Sequence, residues 1–206
     1  MKFSAWIVRR GPQSFVAAGL VAYACWLLDD TLVFWPSWAS GNRLVLEFVY
    51  GPGPEILSYL GLITSFATTI IMSAWIYGAV KLLRRENDNF SLSPWVASLS
   101  IYAPVLIYIM PLFALSQIAL HTKSAGEQPV KRPFHLGAMA GALFSLRFIL
   151  SKAITLTQET PVSENVALAI DISSFVVQLA FFVTTILFMR RMQRLHLDML
   201  AERPVA

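Results

Sequence analysis

The sequence predicts an all-α fold: a polytopic bundle of membrane-spanning helices. Three observations lead there. Charged residues are 14% of the 206 and hydrophobic residues 56%, against about 25% charged in ordinary soluble proteins, and mean hydropathy is +0.61. The apolar residues fall in runs close to the about 20 residues that cross a hydrocarbon core about 30 Å thick. Those runs are continuous rather than alternating, so barrel strands are excluded, and in lipid a continuous apolar segment satisfies its backbone only as a helix. The same composition excludes a soluble enzyme, a disordered regulator and a nucleic-acid-binding module, despite a pI near 9.4. A single cysteine, Cys25, excludes a disulfide framework and a Cys-based metal cluster.

One transmembrane domain over residues 1–206 is expected, with its elements set by where charge stops each run. Gly11 to Leu28 is uncharged, ends at Asp29 and Asp30 and resumes to Trp35, giving a span over 14–36. A cleaved signal peptide is the alternative for this stretch, with Lys2, Arg9 and Arg10 as its basic end, but the apolar run continues past Cys25 and Tyr23 suits a cleavage site poorly. Ile56 to Val80 is uncharged and is the clearest span, 56–80. Asn89 to Thr122 carries no charge, but Pro104 and Pro111 interrupt it. Pro133 to Thr157 is apolar apart from Arg147 and Lys152, giving a span over 136–157. Asn165 to Met189 is apolar apart from Asp171, giving a span over 165–189. The connection from Trp35 and Trp38 to Tyr50–Pro54 reads as an external loop lying on the membrane surface.

Five apolar runs need not be five crossings. Short cytoplasmic loops collect Lys and Arg. If all five runs cross, 6 loop cations lie inside and 8 outside; if 94–120 leaves and returns on one side, 13 lie inside and 1 outside. The sequence therefore predicts four spans, a re-entrant or interfacial segment at 94–120, and both termini in the cytoplasm, with five spans as the alternative. Proline removes a helix hydrogen bond and clashes with the preceding turn, so Pro104 and Pro111 are the expected structural break. Trp35 and Trp38 at the outer interface and Trp6 and Trp95 at the inner one fit this layout.

The middle of the chain carries a pattern: Trp75-Ile76-Tyr77, then Ser93-Pro94-Trp95, then Pro104 and Pro111, and at the end Met189-Arg190-Arg191-Met192-Gln193-Arg194. It resembles a family of uncharacterised bacterial multi-helix inner-membrane proteins, known only as a domain of unknown function, over roughly residues 60–195. That family carries a basic residue and an asparagine just after the Trp–Tyr pair, where Gly78 and Leu82 stand here, and a polar residue between the prolines, where Val105 to Met110 is apolar apart from Tyr108. The resemblance implies a bacterial inner-membrane location and no established activity.

Charge inside a bilayer costs about 3 kcal/mol or more and usually finds a partner. Asp29, Asp30, Arg147, Lys152 and Asp171 are the candidate buried polar network. Lys152 and Asp171 are equidistant from the 161–162 turn, which predicts an ion pair. Arg147 faces about 140° away from Lys152 and needs another acceptor: Asp29, Asp30, Gln178 or carbonyls freed near the prolines. Gly137 and Gly141 form a GxxxG element, expected to let two helix backbones approach, within the monomer against Ala18 and Ala22 or in a homodimer. His121, His135 and His196 fall in cytoplasmic loops or at helix ends, where solvated or headgroup-facing rings are expected and haem ligation is not. No zinc-protease, serine-hydrolase or phosphate-loop motif is present, so no catalytic, cofactor or metal residue is expected. The expected function is a non-enzymatic accessory or scaffold protein, with the lipid bilayer and a homo-oligomer or larger membrane complex as partners. A small transporter or channel element using the buried charges is the alternative, and a lipid-modifying or haem enzyme a third reading.

Overall fold

A computed structural model describes residues 2–34, 53–86, 90, 92–102, 106–122, 131–159 and 163–201. Among them every regular element is helical: α1 (Lys2–Phe34), α2 (Gly53–Glu86), α3 (Pro94–Leu99), a 3₁₀ turn (Leu106–Tyr108), α4 (Met110–His121), α5 (Lys131–Glu159) and α6 (Glu164–Ala201). Among the described residues, three stretches are long and apolar enough to cross a membrane: Glu55–Arg85, His135–Leu156 and Ile172–Leu197. α1, with 33 residues, has the length to be a fourth, at about 1.5 Å per residue. The protein is therefore a helical protein with several helices suited to a membrane. Its outward side chains agree, since Leu62, Ile63, Phe66, Ile149, Ile172, Val176 and Leu187 are all exposed.

The residues divide into two compact units, Gln13–Met72 and the combination of Met1–Pro12 with Ser73–Ala206. In the first, α1 and α2 approach where Gly61 faces Cys25; a Cβ on Gly61 would lie 3.5 Å from the Cys25 Cβ, an ordinary contact.

The second unit holds the feature that matters most, a hairpin between residues 90 and 122. Its ascending arm is α3, which starts with Pro94 in the first turn, where a missing N–H costs nothing. α3 runs antiparallel to α2: the Tyr77 and Trp95 rings lie 4.9 Å apart, and four residues back along α2 the Ser73 hydroxyl donates to the Ser98 carbonyl at 2.9 Å. The descending arm is α4, which begins at Met110–Pro111, so Pro111 initiates a helix rather than kinking one. α4 runs antiparallel to α5, with Leu112 against Gly141 and Leu115 against Gly137. The two arms close on each other at their ends, where the Phe90 and His121 rings meet edge to face at 4.9 Å. α5 and α6 form a second antiparallel pair, with the Phe144 and Phe181 rings 5.5 Å apart.

Candidate functional site

The hairpin is held by close backbone packing and by hydroxyl groups. A Cβ on Gly141 would fall 2.3 Å from the Leu112 Cα, 2.6 Å from its nitrogen and 2.8 Å from the Pro111 carbonyl oxygen. A Cβ on Gly137 would fall 2.7 Å from the Leu115 carbonyl oxygen and 3.0 Å from Phe188 Cε2. The close neighbours of both glycines thus belong chiefly to α4, the arm that follows the proline break. In lipid, helix association rests on van der Waals contact because no hydrophobic force separates tail from side chain. Removing two side chains from α5 is therefore how α4 gains its contact.

Hydroxyls supply bonds the broken backbone needs. Buried irregular chain persists only where its polar groups are met. Ser100 Oγ donates to the Ala97 carbonyl at 2.9 Å and Ser98 Oγ to the Trp95 carbonyl at 3.3 Å, both at the end of α3. From neighbouring helices, Ser73 reaches the Ser98 carbonyl and Ser145 Oγ reaches the Ile107 carbonyl at 3.4 Å. Pro104 lies outside the described residues.

A buried polar centre lies where the hairpin ends. Thr122, which caps α4, donates its hydroxyl to the Ile118 carbonyl at 2.6 Å and lies 3.2 Å from His196 Nε2. The threonine hydrogen is committed to the carbonyl, so the bond to His196 is one the imidazole donates, which places the ring hydrogen on Nε2. His196 is fully buried, beside Trp75 at 6.3 Å between ring centroids, and Trp75 packs edge to face on Phe188 at 5.8 Å. Trp75 also meets α1, with its Cδ1 2.9 Å from where a Gly11 Cβ would stand. The expectation of a solvated or headgroup-facing ring is corrected for His196: the C-terminal part of α6 is covered by α2 and the end of α4, and its imidazole closes the core. His135 is exposed, and His121 is half-buried and bonded to Gln117 at 3.1 Å.

Of the five charged residues of the expected network, Arg147 and Lys152 have described side chains. Arg147 is half-buried, and its guanidinium lies 5.9 Å from the Phe181 ring centroid. That is a cation–π contact across the α5–α6 pair. Lys152 is exposed. Asp29, Asp30 and Asp171 lie within helices, but their side chains fall outside the described residues, so the expected Lys152–Asp171 pair does too. The contacts Gly137–Phe188 and Phe144–Phe181 are symmetric about residues 162–163. Among the described residues no group of three or more His, Cys, Asp or Glu is placed to hold a metal ion.

Nothing in the sequence pattern marks Ser73, Ser145, Thr122 or His196 as partners, because each stands alone in its apolar run; hydroxyls spaced along apolar helices are the one available signal. No family model matches the chain, and comparison with curated proteins and with solved structures gives no match either.

Proposed function

We propose that this chain is a non-enzymatic scaffold of the bacterial inner membrane, packing with itself or with a larger membrane complex. In this reading four helices span the bilayer, residues 94–120 enter and return on the cytoplasmic side, and both termini are cytoplasmic. It stands beside the uncharacterised inner-membrane proteins it resembles. The observation that carries the reading is the hairpin. α4 has 12 residues, about 18 Å at helical rise, which is short of an about 30 Å hydrocarbon core, and its end returns to Phe90. One side of the hairpin is locked to Gly137 and Gly141. The other presents Trp95, Leu99, Tyr102, Ile109 and Phe113 outward. A segment fixed so firmly on one side and apolar on the other supports a role in lateral packing rather than in chemistry.

Two measurements test this. Single cysteines at Ser124 and at Asn87, introduced into a Cys25→Ser chain, are both expected to label from the cytoplasmic face, because the hairpin begins and ends there. Labelling from opposite faces would make 94–120 a full crossing. A photo-crosslinker at Ile109 or Phe113 in native membranes is expected to join this chain to a second copy or to one defined membrane protein. Adducts with lipid alone, together with ion flux in liposomes that Arg147→Ala abolishes, would replace the scaffold by a transporter.

A further inference from the structure

We propose that the seam between the start of α1 and the end of α6 binds the phosphate of an anionic phospholipid, whose acyl chain lies along α6. The proposal rests on the membrane reading above and adds a ligand to it. Residues 9–10 and 190–194 are far apart in sequence but adjacent in space, because the Gln193 side-chain amide donates to the Arg9 carbonyl. Around that bond Arg9, Arg10, Arg190 and Arg194 are all exposed. The geometry of α6 adds the second half. At about 100° per residue, Val183, Leu187, Arg190 and Arg194 fall within a stripe about 60° wide, on the flank of the helix next to Gln193. Val183 is 46% exposed and Leu187 52%, so one continuous outward stripe is apolar for its first turns and cationic for its last. That is the profile of an amphiphile lying with its tail toward the bilayer centre.

The remaining surroundings favour the same ligand. Trp6, 56% exposed, stands one turn before Arg9 and Arg10, and an interfacial indole sits at headgroup depth. No Asp or Glu occurs in residues 1–28 or 172–197, so Arg9, Arg10 and Arg190 have no acidic neighbour along their own helices; the first acid beyond is Asp198, a turn past Arg194. A guanidinium presents paired donors that match two phosphate oxygens, whereas an ammonium acts as a point charge. Four arginines from two helices can enclose a phosphodiester, and the Val183–Leu187 ridge distinguishes a lipid from a free phosphate.

The test is retention of lipid by the full chain purified in neutral detergent, followed by native mass spectrometry with added phosphatidylglycerol or phosphatidylcholine. The wild-type chain is expected to retain phosphatidylglycerol in preference to phosphatidylcholine, and inorganic phosphate at equal concentration is expected to leave that retention unchanged. Arg190→Gln with Arg194→Gln is expected to lower retention about tenfold, whereas Arg84→Gln with Arg85→Gln, an equal loss of charge on exposed α2 positions, lowers it less than about threefold. Arg9→Gln with Arg10→Gln provides a second seam variant that leaves the Gln193 bond to backbone intact and should match the first. Equal loss from the α2 pair and the seam pairs, equal retention of the two lipids, or displacement by inorganic phosphate would overturn the proposal. Because binding is read in detergent, its failure is separate from a failure of the topology, which cysteine labelling reads.

Discussion

Gly141→Ala is a one-carbon change that should unfold the contact on which the hairpin depends. In an isolated helix the substitution is favourable by about 1 kcal/mol, since alanine loses less backbone freedom. Here the added carbon would stand 2.3 Å from the Leu112 Cα and 2.6 Å from its nitrogen. Both are backbone atoms, so no side-chain rotation relieves the clash. Restoring a carbon–carbon separation of about 3.5 Å requires α4 and α5 to part by about 1 Å, and such a gap forfeits a quarter to a half of each nearby dispersion contact. Overpacking of this kind costs about 1–3 kcal/mol, which outweighs the propensity gain. Gly61→Ala supplies the control. Among the described residues its Cβ would meet only the Cys25 Cβ at 3.5 Å, so the propensity term dominates and the variant should be neutral or stabilised by up to about 1 kcal/mol. Thermal unfolding in detergent, read by circular dichroism, compares the two directly. Gly141→Ala equal to or more stable than Gly61→Ala would refute the backbone-contact reasoning.

Other expectations follow from the same contacts. Gly137→Ala, whose Cβ would lie 2.7 Å from the Leu115 carbonyl oxygen, should destabilise in the same assay, and a double variant with Gly141→Ala should be less than additive because both part the same two helices. Thr122→Val leaves the His196 Nε2 hydrogen buried without an acceptor and should destabilise by about 1–3 kcal/mol, while Thr122→Ser restores most of it; equal stability of the two variants would remove the Thr122–His196 bond from the account. Trp75→Ala opens the fully buried site between Gly11, Phe188 and His196 and should cost about 3–5 kcal/mol, visible as a lower unfolding temperature. Arg147→Ala should lose about 0.5–2 kcal/mol with the Phe181 contact and leave liposome permeability unchanged.

Much of the architecture is legible in composition alone. Uninterrupted apolar runs leave the helix as the only backbone solution in lipid, and the helices at 53–86, 131–159 and 164–201 follow from that constraint. The proline pattern also announces a break, because proline lacks the donor a continuous helix requires. What a run of letters does not contain is a partner. Gly137 and Gly141 signal close approach to something; only folding selects Leu112 and Leu115. His196 shows the limit most plainly. Beside Arg190, Arg191 and Arg194 it reads as a surface residue, yet it lies fully buried against Trp75 and Thr122, 121 and 74 positions away. Helix identity is settled by forces acting within a few turns, which sequence displays directly. Burial at a helix end depends on which other segment arrives there, and that is settled by packing among residues whose separation along the chain says nothing of their distance in space.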